Sequence, residues 1–410
     1  MNLPTDDERQ SRRAANRILL WMCALICVNQ LGFGGIVPAM PLYAESFGVS
    51  ATAIGFAVAA YGLARFLIGM PSGKLSDWLG RRPTLAIGGI VSAIGNLWCA
   101  EADTYTSFMV GRFIAGLGAG LVLTAGQVVL ADISMPAWRA RMMAIYQGVF
   151  LFSVGLGPLP GGWLADQYGL AAPFYAYTVA AVIVGFIAYL AVPETRGFKH
   201  AGDARPAPPP LSFGQQIRMM AGRLGFVLAG LVSFMNAFTR TGALFALVPL
   251  FGATQLGLSI TEVGFCLALA SVAGLVITYP AGWVADRHGR KFVIVPMTVL
   301  MGASYVMYSM APSFAWFLVA TLIWGLTAAA SGSAPAAYAA DSAPPGMNAA
   351  AMSLFRTLGD FGYVVGPVAL GFMADYAGLN SAFLLCAVLL ALTGVAFGVL
   401  APETHRGQQP

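Results

Sequence analysis

Long apolar stretches separated by short polar breaks dominate this chain. They run at roughly 17–44, 51–72, 83–102, 106–130, 142–165 and 172–193, and again at 224–251, 260–281, 292–311, 315–339, 349–374 and 381–401. Each is near the roughly 20 residues that carry an α-helix across a bilayer. In lipid the backbone N–H and C=O groups must pair within their own segment, so these stretches predict membrane-spanning helices. Twelve spans make an all-α membrane protein with both termini on one side.

The polar breaks carry an internal repeat. Gly73-Lys74-Leu75-Ser76-Asp77-Trp78-Leu79-Gly80-Arg81-Arg82, between the second and third spans, returns 209 residues later (282 − 73) as Gly282-Trp283-Val284-Ala285-Asp286-Arg287-His288-Gly289-Arg290-Lys291. The same offset aligns Gly116 with Gly325, Asp132 with Asp341, Gly157-Pro158 with Gly366-Pro367, Asp166 with Asp375, and Pro193-Glu194-Thr195 with Pro402-Glu403-Thr404. A period this long reads as a duplicated half-molecule, an arrangement common among secondary transporters. The expected organisation is a charged, disordered tail at 1–16, a six-helix half at 17–193, a linker at 194–223, a second six-helix half at 224–401 and a tail at 402–410. The linker holds Arg205-Pro206-Ala207-Pro208-Pro209-Pro210, a semi-extended tether. Ser212 and Gln215 then offer a capping box for a short basic amphipathic helix with Arg218, Met219 and Met220.

Composition agrees with a membrane class: 58% of residues are hydrophobic and 10% charged, where soluble domains carry about a quarter charged. The net charge of +5 does not point to nucleic acid, because the Lys and Arg residues collect in the tails and alternate loops. By the positive-inside rule that distribution makes both termini cytoplasmic, in a plasma or bacterial inner membrane. Cys23, Cys27, Cys99, Cys266 and Cys386 lie inside apolar runs as small buried hydrophobes, without a disulfide framework or a metal-binding pattern. Glycine pairs at helical spacing, Gly69/Gly73, Gly116/Gly120 and Gly157/Gly161, predict close backbone packing between spans.

These residues reach a family. The segment Gly73 to Arg82 resembles the loop signature after the second helix of the major facilitator superfamily, and 282–291 resembles its echo in the second half. Arg112-Phe113-Ile114-Ala115-Gly116-Leu117-Gly118-Ala119-Gly120 resembles the family's fourth-helix Arg motif. Gly157-Pro158-Leu159-Pro160-Gly161-Gly162 resembles the fifth-helix motif of its twelve-helix drug:proton antiporters. Trp78 stands where the loop signature has Arg, Ser153 where the antiporter motif opens with Gly, and Thr321 at the repeat position of Arg112. The resemblance implies alternating access and a cytoplasmic latch made of Gly73, Asp77, Gly80, Arg81 and Arg82, with Gly282, Asp286, Arg287, Gly289 and Arg290 as its mirror. In that layout Asp77 lies beside the start of span eleven near Asn348 to Met352 and favours the outward-facing state. Arg81 and Arg82 either join the carboxylate network or bind anionic headgroups; the plainer reading of the loop is a topology-setting charge cluster.

Charges inside the membrane are costly and mark candidate sites: Arg65, Arg112, Arg240, Arg356 and one central acid, Asp360. Arg356 and Asp360 are four apart and share a helix face. If Asp360 exchanges Arg356 for a proton, it is the coupling site; if the pair never breaks, it is structural. Four arginines against one acid favour an anionic, zwitterionic or acid-bearing substrate. Asn29, Gln30, Gln147 and Asn236 supply neutral hydrogen-bonding groups, and Phe33, Phe234, Phe238 and Trp324 apolar walls. Catalytic motifs are missing: Gly69-x-x-x-Gly73-Lys74-Leu75-Ser76 is one residue short of a phosphate loop and follows a membrane helix. The expected protein is therefore not an enzyme. It is a monomeric carrier in the lipid bilayer for a small organic solute, with no cofactor beyond a coupling proton, working by proton-coupled efflux. The alternatives are an uptake symporter or facilitator, and a non-transporting membrane receptor.

Overall fold

Helices begin and end where the polar breaks fall. The computed structural model describes residues 6–134, 139–196, 213–343 and 347–403. In chain order the helices are α1 (Asp6–Ile36), α2 (Met40–Glu45), α3 (Ala51–Leu79), α4 (Arg81–Ala100), α5 (Tyr105–Ile133), α6 (Arg139–Leu156), α7 (Pro158–Tyr168), α8 (Ala172–Ala191), α9 (Phe213–Ala221) and α10 (Leu224–Thr239). A π-helical segment, Arg240–Leu247, leads to α11 (Val248–Thr254), α12 (Ile260–His288), α13 (Arg290–Ser309), α14 (Phe314–Asp341), α15 (Asn348–Ala377) and α16 (Leu379–Leu400). Among the described residues twelve helical stretches are long and apolar enough to cross a membrane, and there is no strand. The protein is an all-α, multi-pass membrane protein.

Three spans expected as single helices are interrupted. The first breaks at Val37–Ala39, just before Met40-Pro41, the fifth at Gly157-Pro158, and the seventh widens into the π-helical segment ahead of Pro249. Proline supplies no N–H and crowds the carbonyl four residues back, so each break sits at or just ahead of one. At the N-terminus helix α1 starts at Asp6, so part of the segment expected as a disordered tail is helical. The amphipathic helix appears as α9; Ser212 of its expected cap lies outside the described residues.

Tight turns between spans use glycine at positive φ: Gly80 (106°) and Gly289 (103°), Gly169 (92°) and Gly378 (86°). Each pair is 209 residues apart, so the repeat is kept where only glycine tolerates the backbone.

The chain folds as two compact units, residues 1–36 with 60–206, and residues 37–59 with 207–410. In the first, α4 packs between α5 and α8, and α1 packs on α6 and α8. Its core gathers Met22, Leu25, Ile26, Leu85, Val122, Val129 and Val184. In the second, α13 packs between α14 and α16, and α10 packs on α15, around Phe226, Val232, Ile294, Tyr338 and Phe397. Residues 37–59, part of the first half by sequence, pack with the second unit.

Candidate functional site

Three clusters hold the residues singled out above, and the first is the loop motif. Gly80 turns the chain so that α4 starts at Arg81, one turn beyond Asp77. Arg81 Nη1 donates to Asp77 Oδ1 at 2.8 Å, and Arg81 Nε to Asp132 Oδ2 at 2.8 Å. Thr195 Oγ1 donates to the same Asp132 oxygen at 3.0 Å. Glu194 caps α4, accepting from the Arg81 N–H at 3.0 Å and the Arg82 N–H at 3.2 Å. Burial works against ionising Glu194, but the backbone N–H groups of Arg81, Arg196 and Arg82 outweigh it and hold its carboxyl below the usual value. A side chain at position 80 would collide with that carboxylate.

The Arg82 backbone joins the carboxylate network through Glu194, and its side chain turns elsewhere. Its guanidinium lies 4.6 Å from the centre of the Tyr189 ring, a cation–π contact.

The mirror copy is looser. Arg290 pairs with Asp286 at very short range but reaches Asp341 only at 3.4 Å, and Glu403 accepts from the Lys291 N–H at 3.4 Å. Arg287 lies over the Trp283 ring instead of joining the pair. Gly73 and Gly282 stand in open space, as does Gly69, so the close packing expected of Gly69/Gly73 is not found. Gly116 and Gly120 do pack against α3, at Tyr61 and Ala64 and at Arg65 and Ile68.

The second cluster is the pair of proline bends. Gly157 and Gly161 meet Gly34 and Gly35 of α1 so closely that a side chain on Gly34, Gly157 or Gly161 would strike backbone. Pro158 leaves the carbonyl of Val154 without its helical donor, and a side chain on Gly34 would strike that oxygen. Gly162 is buried beside them. In the second unit Pro367 does the same to the carbonyl of Tyr363. There Thr241 Oγ1, from the π-helical segment, donates to it at 3.2 Å.

The third cluster is the polar interior, and its two halves differ. In the first unit Asn29 Nδ2 donates to Gln30 Oε1 at 2.8 Å, and the Tyr177 hydroxyl reaches Asn29 Oδ1 at 3.4 Å. Arg112, 2% exposed, sits with its guanidinium 4.6 Å from the Tyr61 ring centre. Phe33 stacks on the same ring at 5.3 Å. The buried cation lies over one aromatic face, and Arg65 lies on the same helix as Tyr61, one turn away. Gln147 stands apart, exposed, in a cavity of about 490 Å³ with Gln127, Met143, Ala144 and Tyr146. The Tyr146 hydroxyl is buried without a hydrogen-bond partner.

In the second unit Asn236 Nδ2 donates to the Ser331 carbonyl at 3.3 Å. Trp324 Nε1 donates to the Tyr305 hydroxyl at 3.0 Å, which donates to the Thr239 carbonyl at 3.0 Å. Phe234 contacts Phe238 and Phe361, both at 5.8 Å between centroids. Arg240 opens the π-helical segment, a feature frequent at functional sites. Arg356 and Asp360 are 4.0 Å apart, the outer limit of an ion pair, with side chains 61% and 33% exposed.

Sequence reasoning missed Tyr61, Tyr177, Gln127, Tyr146 and Tyr305. Within apolar runs a tyrosine reads as core or lipid contact, and only the fold shows that Tyr61, Tyr177 and Tyr305 face polar partners while the Tyr146 hydroxyl is buried without one.

The sequence profile described as Major Facilitator Superfamily matches residues 22–234 and 229–410. The chain belongs to that superfamily. It is 24% identical over 382 residues to an uncharacterized MFS-type transporter of Methanocaldococcus jannaschii, covering 93% of this chain and 96% of the relative. It is 29% identical over 195 residues to the multidrug resistance protein MdtL of Klebsiella pneumoniae, covering 46% and 48%. The fold is shared with the crystal structure of a D-xylose–proton symporter, at a TM-score of 0.74 and 19% identity, covering 94% and 98%. As a member, this protein is a membrane transporter and not an enzyme, and it resembles the superfamily's drug-efflux group.

Proposed function

We propose that this transporter exports a small organic solute in exchange for protons, by alternating access of its two repeat halves about a midplane site. The observation that carries the export reading is the four-glycine contact of Gly34, Gly35, Gly157 and Gly161. It gives the Gly157-Pro158/Gly161-Gly162 motif, the antiporter-type feature of the sequence, a concrete structural use: a bend packed backbone to backbone. The similarity to MdtL, a multidrug resistance protein, supports the same direction.

Asp360 is the proposed proton site. Its ion pair with Arg356 is long at 4.0 Å, so exchanging the arginine for a proton breaks little. Arg112, buried over an aromatic ring, supports an anionic or zwitterionic substrate or one bearing an acid group. Asp77 and Asp286 are the proposed latch carboxylates at the opposite end from the α3 N-terminus.

The test is transport in proteoliposomes, driven by a pH gradient or by counterflow, with organic anions, zwitterions and lipophilic cations. Gradient-driven movement lost in Asp360→Asn while counterflow survives is the expected result. Movement indifferent to the gradient would instead make the protein a facilitator and Arg356–Asp360 a structural pair.

A further inference from the structure

The start of α3 has its own cap in Ser50, whose hydroxyl accepts from the Ala53 N–H at 3.4 Å, and takes its capping carboxylate from another helix. Asp375, near the C-terminus of α15, accepts from the N–H groups of Ala51 and Thr52, both at 2.8 Å, and from Thr52 Oγ1 at 2.5 Å. At the repeat-aligned helix start, α12 caps itself. Ser259 Oγ accepts from the Glu262 N–H at 3.2 Å, and Glu262 Oε2 from the Ser259 N–H at 2.8 Å. Position 53, which aligns with Glu262, is alanine. Helix α3 therefore has no capping carboxylate of its own in its first turn, and Asp375 supplies one where the helix dipole favours it. Just below, the two backbones touch: a side chain on Gly371 would strike Ala51, and one on Gly55 would strike the Pro367 carbonyl.

We infer that Asp375 is a clasp that holds the Ala51 end of α3 to the Asp375 end of α15, and that it breaks and re-forms once per transport cycle. The reasoning rests on the alternating-access reading. Residues 51–59 belong by sequence to the first repeat half, yet they are packed in the compact unit of the second. Halves that move as bodies must part here, and three directed bonds at this seam run to Asp375. The clasp lies at the end of α3 opposite Asp77, 26 residues along the same helix (77 − 51), so it stabilises the state in which the Asp77 end is released.

Hydrogen–deuterium exchange of the full-length protein in lipid nanodiscs tests this without a substrate. Asp375→Asn is expected to raise exchange about tenfold in peptides covering 49–57 and 371–378, a charge-assisted bond being worth roughly that factor. In the same variant exchange should fall in the peptide covering 73–82. Thr52→Val, which removes the hydroxyl arm and leaves the carboxylate, should shift all three peptides in the same directions by about threefold. Faster exchange confined to 49–57, with 73–82 unchanged, would make Asp375 a local helix cap and overturn the clasp; so would no change at 49–57. Reciprocal exchange in a protein that moves no solute in proteoliposomes would keep the clasp and sink the carrier reading.

Discussion

At positions 209 apart the two repeats keep the same turns and opposite interiors. Arg112, buried against Tyr61 in the first unit, aligns with Thr321, whose hydroxyl accepts from Tyr308 at 2.7 Å. Tyr61 aligns with Ala270 and Tyr177 with Cys386. At these positions one unit holds a cation over an aromatic ring, and the other neutral hydrogen bonds of tyrosine, tryptophan and threonine. Positive-φ glycines and the loop ion pairs survive in both copies because backbone geometry and helix starts demand them. The interior had no such constraint. The comparison teaches that the duplicated features build the scaffold, while the features that are not duplicated are free to differ between the two interiors.

The largest effect should come from forcing one interior to resemble the other. Gly161 aligns with Leu370, which is fully buried. Gly161→Leu drives a side chain into the Gly35 backbone and should cost about 3 kcal/mol or more by overpacking, read as loss of folded protein by thermal unfolding in detergent. Leu370→Gly should cost about 2–5 kcal/mol by opening a cavity, and a milder result for Gly161→Leu than for Leu370→Gly would break the comparison.

Next comes the charge. Arg112→Met should lower transport at least about 100-fold and Thr321→Val less than about threefold, since only the first removes a buried charge. Equal losses would mean that the two interiors share one role.

The loops should differ less. Arg81→Gln should reduce the transport rate about tenfold and Arg290→Gln about threefold, because Arg81 holds its second carboxylate at 2.8 Å and Arg290 only at 3.4 Å. The smallest effect is that of Glu194→Gln, below about 1 kcal/mol after allowing for solvent screening of a mostly exposed group. Its pH dependence has a definite sign. A carboxyl whose folded-state pKa is lowered contributes fully above its unfolded-state pKa, and that contribution fades as pH falls through the lowered value. Wild type and Glu194→Gln should therefore converge in thermal stability on acidification.

How much of this was legible in the sequence depends on what each residue needs. The twelve spans, the 209-residue repeat and the helix-terminal glycines follow from hydropathy and backbone sterics, which act locally. The i,i+4 pairs Asp77–Arg81 and Arg356–Asp360 follow from helix spacing alone. The separation of Arg81 from Arg82 was not legible, because it depends on Tyr189, more than 100 residues away and inside a different apolar run. The role of Asp375 was hidden for the same reason: the repeat flagged the residue, and only the packing of α15 on the start of α3 gave it a partner.

The proline bends carry a last consequence. A carbonyl released by proline inside a membrane is an invitation to water, and a file of waters through a carrier is a leak. At Pro367 the Thr241 hydroxyl lies 3.2 Å from the freed oxygen of Tyr363 and shares its one proton with the Ala237 carbonyl at 2.8 Å. At Pro158 the freed oxygen of Val154 faces Gly34, where any side chain would strike it. The first unit thus bends its fifth span beside glycines that bring no side-chain hydroxyl to the freed oxygen, where the second unit places Thr241.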